Sequence, residues 1–118
     1  MTGGAGFIGS NFVNWLSGEH PDVELVVVDL LTYAGNLSNL ASIAEDSRYR
    51  FVKGDICDQE LLNTLFVEEQ INTVVHFAAE SHVDRSIVAP AAFVETNVVG
   101  TFRLLEVALR VWEKRVRP

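Results

Sequence analysis

The chain has 118 residues, 48% hydrophobic and 21% charged, with a net charge of −7. That length suits one domain with a real core rather than two, and no apolar run approaches the ~20 residues of a membrane span. The acidic balance (sequence pI ≈ 4.8) argues against nucleic acid or an anionic membrane as partner, since both need clustered Lys and Arg.

The chain opens with "MTGGAGFIGS". Met1 leads straight into glycines, not into the basic and apolar stretch of a secretory leader. Gly4, Gly6 and Gly9 give G-x-G-x-x-G, and Gly3, Gly6 and Gly9 give G-x-x-G-x-x-G. Early glycines permit a tight turn and let backbone approach a pyrophosphate, while Gly9 lets the following helix pack close to a sheet. The helix start then offers free N–H groups and a partial positive charge to an anion. "GFIGSNFVNWLSGEH" sets Phe7, Ile8, Phe12, Trp15 and Leu16 at helical spacing, with a stop at Ser17-Gly18.

"ELVVVD" is a continuous apolar run, expected as a strand covered on both faces. It ends at Asp29, about twenty residues beyond the last glycine, where a carboxylate can accept from adenosine ribose hydroxyls and repel a 2′-phosphate. That pairing favours NAD over NADP. "LLTYAGN" reads as a loop, "NLSNLASIAED" as a short helix, and "RYRFVKGD" as a second strand. "DQELLNTLFVEEQ" is an amphipathic helix with Asp58 as N-cap. Cys57, the single cysteine, excludes an internal disulfide and fits a reducing, cytoplasmic setting; it reads as a small semi-buried side chain rather than a nucleophile.

"NTVVHFAA" is expected as a third strand, with His76 a core histidine. "ESHVDRSIVA" reads as a polar loop, and Pro90 as the start of a long helix. On that helix Val94, Val98, Thr101, Leu105, Ala108 and Trp112 form one stripe, expected as core or as a helix–helix dimer face. Gly100 within it costs ~1 kcal/mol against alanine and so points to close approach by a neighbouring element. The closing "KRVRP" reads as a solvated helix end. Three widely separated histidines indicate no metal site. Alternating strands and helices imply a doubly wound parallel α/β sheet.

The segments "TGGAGFIGS", "DLLTYAGN", "GDICD", "HFAAESHVDRS" and "AFVETNVVGT" together resemble the dTDP-glucose 4,6-dehydratases of the extended short-chain dehydrogenase/reductase superfamily. The resemblance runs from Thr2 to about Trp112. "TGGAGFIGS" and "GDI" are shared with UDP-sugar epimerases, whereas "LTYAGN" and "AAESHVDRS" favour the dehydratases over a related epimerase or decarboxylase. The resemblance implies a homodimer that holds NAD tightly and converts dTDP-glucose to its 4-keto-6-deoxy product and water. Hydride leaves sugar C4 for NAD and returns at C6. It also implies that Gly3, Gly6, Phe7, Ile8 and Gly9 serve the pyrophosphate, and Asp29, Leu30, Leu31 and Thr32 the ribose. Asp55 and Ile56 would flank the adenine, and Phe77, Ala78, Ala79, Glu80 and Ser81 the nicotinamide half. Thr96 would contact the cofactor, and Ser81 also the sugar. Leu30 departs from the family's lysine in "DKLTYAGN", which removes a contact at the adenosine end.

The family's catalytic Thr/Asp/Glu set and Tyr-x-x-x-Lys pair belong to later segments, so no catalytic residue is assigned here. Tyr49 and Lys53 match the bare spacing, but on a strand, where it serves packing. Residues 1–118 are thus expected to be a partial NAD(P)-binding domain, truncated at its first strand and before the catalytic segment, without the C-terminal sugar-nucleotide domain. A non-enzymatic NAD-binding module is the remaining alternative. Only Met1 and Thr2 precede the glycines, where a central strand is expected; weak NAD binding by the chain alone is the expected consequence.

Overall fold

The computed structural model describes residues 1–116, so Arg117 and Pro118 of the "KRVRP" segment lie outside the described residues. The chain divides into two compact units. Met1–Gly54 with Val75–Phe77 form one; Asp55–Val74 with the chain from Ala78 onward form the other.

In the first unit, the glycine turn feeds α1 (Phe7–Glu19), followed by β1 (Leu25–Asp29), a 3-10 segment (Leu37–Ile43) and β2 (Tyr49–Lys53). β1 and β2 pair in parallel, Leu25 opposite Tyr49 and Asp29 opposite Lys53. Thr2 makes single parallel bridges to Val28 on one side and His76 on the other. The N–H of Thr2 donates to Val75 O and that of Phe77 to Thr2 O, each at 3.0 Å, while Gly3 N–H reaches Val28 O at 2.9 Å. The segment expected as a third strand is therefore one bridge wide, at His76, where Thr2 pairs with it just before the chain turns away at the glycines.

The core of this unit is Ala5, Val13, Leu25, Val27, Leu40 and Ile43. Of the apolar residues at helical spacing on α1, Leu16 packs against this core. Gly9, Ser10 and Val13 are buried, whereas Phe7, Ile8 and Trp15 are more than half exposed. Close helix-to-sheet approach selects small residues, so the largest apolar side chains do not mark the buried side. The helix also runs past Ser17-Gly18. Its end is held by Arg48, which donates to the carbonyls of Ser17 (3.2 Å) and His20 (3.3 Å) while pairing with Asp46.

The second unit holds α2 (Gln59–Glu68), α3 (Val83–Val88), and a helical run of α4 (Pro90–Phe93), a π segment (Val94–Gly100) and α5 (Thr101–Val116). Asp58 caps α2 as expected, its Oδ1 accepting from Leu61 N at 3.0 Å. Ile56, Leu62, Phe66, Leu104, Val107, Ala108 and Val111 form the core, with Ile71, Val74, Ala78 and Trp112 packed against it. Trp112 Nε1 donates to Ile71 O at 2.8 Å, and Arg115 reaches Ile71 O and Phe66 O, both at 2.7 Å.

One expectation is corrected here. "ESHVDRSIVA" is not wholly loop, because residues 83–88 form α3. Val83, Ile87 and Val88 are all exposed, so the helix has no buried face to leave a periodic signal. The stripe on the long helix divides: Val94, Val98 and Leu105 are exposed, while Ala108 is buried and Trp112 packs against the core, whose line runs through Leu104, Val107, Ala108 and Val111. A π segment, Val94–Gly100, precedes α5. Gly100, at its end, lies where a Cβ would sit 2.5 Å from Ile56 Cδ1, the close approach its presence in a helix implied.

Candidate functional site

The glycine turn of the first unit is built around Gly3 and Ala5. Gly3 takes φ 67°, a left-handed conformation that glycine adopts without a Cβ penalty. Gly9 is required by space, because a Cβ there would collide with the Gly3 carbonyl oxygen. Gly6 differs. It is the N-cap of α1 at φ −76°, with no side-chain capping bond, and a Cβ on it would meet only Gly3 O at an ordinary 3.5 Å. Nothing in the fold demands glycine there.

An uncapped helix start leaves its first N–H groups without side-chain acceptors. Phe7 and Ile8, the first two helical residues, are 82% and 66% exposed. Exposed N–H groups at the positive end of a helix make a site for a phosphate.

Asp29 sits beside this turn. Its Oδ2 accepts from Ala5 N at 3.0 Å and its Oδ1 from Leu31 N at 2.8 Å. Leu31 adopts φ 57°, unusual for a branched side chain and costing of order 1 kcal/mol. That conformation curls the chain so that its amide faces the carboxylate. Leu30 and Thr32 flank it and are exposed. The Ala5 carbonyl is held in turn by Asn36 N (3.1 Å) and Asn39 Nδ2 (2.9 Å). Glycine spacing does not reveal Asn36 and Asn39, and only their place in a polar cap segment hints at them. Phe77, also in this unit, sets its ring 5.5 Å from that of Phe12, tilted by 56°.

The remaining expected site residues belong to the second unit. Asp55 is exposed and receives Cys57 N at 2.8 Å, and Ile56 is buried in that unit's core. Ala78 packs against the core, while Ala79 and Ser81 are exposed. Thr96 lies in the π segment. The next residue, Asn97, was not singled out from the sequence. Its Oδ1 accepts from Glu80 N and its Nδ2 donates to Glu80 O, both at 2.9 Å.

Other groups keep their bland readings. His76 shares a 2.6 Å hydrogen bond with Thr2 Oγ1, and burial lowers its pKa. Cys57 Sγ donates to Glu95 O at 3.3 Å. Burial, with Asp55 and Glu95 nearby, pushes the thiol up to about 11, so at neutral pH it is protonated and a poor nucleophile. Tyr49 and Lys53 begin and end β2, where they are packing and edge residues of a strand.

A glycine turn leading from a parallel sheet position into a helix, with a strand-end carboxylate bonded into it, places the chain in the Rossmann class of α/β proteins. The chain belongs to the GDP-mannose 4,6 dehydratase family, whose sequence model matches residues 1–117. It is 54% identical over 112 residues to the dTDP-glucose 4,6-dehydratase of Salmonella typhimurium, covering 95% of this chain and 31% of that one. It is also similar to the dTDP-glucose 4,6-dehydratase of Streptomyces venezuelae solved with NAD bound (TM-score 0.86, 54% identity, 94% of this chain and 35% of that one). A Thermotoga maritima UDP-glucose 4-epimerase solved with UDP-glucose aligns with TM-score 0.81 at 34% identity, covering 93% and 33%. The chain thus spans about a third of the length of the relatives it matches.

Proposed function

We propose that this chain is the cofactor-binding part of an NAD-dependent dTDP-glucose 4,6-dehydratase, a lyase of deoxysugar nucleotide metabolism. The observation that carries the reading is the pairing of the open turn at Gly6 with the Asp29 carboxylate, bonded to Ala5 N. The 54% identity to dTDP-glucose 4,6-dehydratases, against 34% to an epimerase of like fold, supports this reaction over epimerisation. NAD, when bound, supplies a reversible hydride acceptor.

In this reading the chain's own residues bind and orient. Gly3, Gly6, Gly9 and the amides of Phe7 and Ile8 take the pyrophosphate. Asp29 through Thr32 take the ribose, Asp55 and Ile56 the adenine. Phe77 through Ser81 and Thr96 take the nicotinamide half, with Ser81 also at the sugar. Acid–base chemistry belongs to segments beyond these residues. The exposed Val94, Val98, Phe102, Leu105 and Leu109 offer an apolar face for the homodimer. Among the described residues no helix is long and apolar enough to cross a membrane, and a cytoplasmic enzyme without a nucleic-acid partner completes the proposal.

The test is a titration of the chain with NAD and NADP, monitored by amide chemical shifts so that millimolar affinities are measurable. NAD should bind more tightly, with shifts at residues 3–9 and 29–32. Asp29→Asn, which removes the charge facing a 2′-phosphate, should shrink the NAD preference by roughly tenfold. Equal affinity for NAD and NADP in the unsubstituted chain would refute the reading.

A further inference from the structure

Ala5 lies between Gly4 and Gly6 and is fully buried. Glycines on both sides give its two peptide planes little steric restraint of their own, so the restraint comes from other segments. The Gly4–Ala5 plane is held through Ala5 N, which donates to Asp29 Oδ2 at 3.0 Å. The Ala5–Gly6 plane is held through its carbonyl, which accepts from Asn39 Nδ2 (2.9 Å) and from Asn36 N (3.1 Å). A carbonyl oxygen has two lone pairs, and both are taken here. Asn36 contributes a main-chain N–H, which any residue but proline offers. Asn39 contributes its side chain, so its identity matters.

Asn39 is itself braced against α1. Its main-chain O accepts from Asn14 Nδ2 at 3.1 Å, and Asn14 Oδ1 accepts from Ser42 Oγ at 2.7 Å. The Asn14 amide thus has both its ends engaged with the 3-10 segment (Leu37–Ile43), and a line of bonds runs from Ser42 through Asn14 and Asn39 to the glycine turn.

A peptide unit is planar and moves as one body. The plane whose oxygen Asn39 holds carries Gly6 N on its other edge, bonded to Gly3 O at 3.3 Å, and Gly6 is the N-cap of α1. Fixing that oxygen therefore fixes how the chain enters α1, and with it the aim of the Phe7 and Ile8 amides that follow.

We propose that Asn39, braced by Asn14, is a positioning residue for the phosphate end of the ligand, holding the Ala5–Gly6 peptide so that the helix start faces the pyrophosphate, without touching the ligand itself. This rests on the reading above, in which the glycine turn takes the pyrophosphate and Asp29–Thr32 the ribose. The peptide that Asp29 holds is the preceding one, so the ribose carboxylate keeps its own anchor when Asn39 is lost.

The experiment titrates the 118-residue chain with ADP and with adenosine, which lacks only the diphosphate, following amide shifts. The unsubstituted chain should bind ADP more tightly. Asn39→Ala removes the bond to Ala5 O, and Asn14→Ala leaves that bond but removes its brace; neither alters the net charge that a phosphate meets. Asn39→Ala should weaken ADP by roughly fivefold and Asn14→Ala by roughly twofold, with adenosine affinity unchanged in both. The shifts that ADP induces at Gly6, Phe7 and Ile8 should shrink, while those at residues 29–32 persist. Equal losses for both ligands, or unfolding of either variant by circular dichroism, would make these asparagines structural and overturn the proposal, as would unchanged ADP affinity in either variant. If the unsubstituted chain binds adenosine as tightly as ADP, the pyrophosphate assignment of the turn is itself wrong, and the proposal falls with it.

Discussion

Gly9 lies so close to Gly3 that a Cβ at position 9 would collide with the Gly3 carbonyl oxygen and sit 2.9 Å from its carbonyl carbon. Backbone atoms cannot rotate aside as a side-chain end can. Gly6, three positions earlier, faces no such obstacle, and its φ of −76° is open to any residue. Two glycines of one motif therefore answer to different demands, one from the fold and one from the space above the helix start.

Gly9→Ala should accordingly destabilise the chain by ~1–3 kcal/mol, whereas Gly6→Ala should change stability by less than ~0.5 kcal/mol. Both should weaken NAD binding. Denaturant melts alongside NAD titrations separate the two. A Gly9→Ala variant as stable as the parent would contradict the packing argument, and undiminished NAD binding by Gly6→Ala would contradict the ligand argument.

At Gly100 two effects oppose each other. Alanine gains ~1 kcal/mol of helix propensity, but its Cβ would stand 2.5 Å from Ile56 Cδ1 and 2.7 Å from Cγ1. Ile56 is a buried member of the core, so crowding of ~1–3 kcal/mol should win and Gly100→Ala should be destabilising. Ile56→Val, which removes Cδ1, should recover part of that loss in the double variant. Strictly additive melting data for the two substitutions would show that they do not share a cavity.

Asp46 supplies the pH dependence. Its hydrogen bonds with the Arg48 guanidinium and backbone, with lesser help from charge attraction and Ser17, hold its carboxyl near 2 against an ordinary 3.8. A carboxylate depressed in the folded state contributes stability that is whole above the ordinary value and lost as pH falls through the folded one. Asp46→Asn should therefore melt below the parent at neutral pH, and the gap should close between about pH 4 and pH 2. A gap of constant size down to pH 2 would mean that the ion pair is not its source.

Much of the fold was legible in the residues. Asp58 capped its helix, Pro90 opened the long one, Gly100 marked a close approach, and the strand ending at Asp29 stands where its apolar run put it. Side-chain size was the misleading signal. Phe7, Ile8 and Trp15 are large apolar side chains of α1 and are exposed, whereas close packing on the sheet is built from Gly9, Ser10 and Val13. The stripe on the long helix divides between a buried part at Ala108 and Trp112 and an exposed part at Val94, Val98 and Leu105, and apolar spacing alone does not tell the two apart. α3 stayed hidden because its apolar side chains point nowhere within the chain's cores. Asn36, Asn39 and Asn97 act through backbone groups of distant residues, a role that local spacing does not encode.

The bridge between Thr2 and His76 joins residues 74 positions apart. On a ribosome, the first unit cannot close until residue 77 has emerged, by which time α2 of the second unit has already been made. Closing so long a loop for the sake of a few main-chain bonds gives entropy the larger share of the balance. This bridge is therefore expected to form after β1 and β2 have paired.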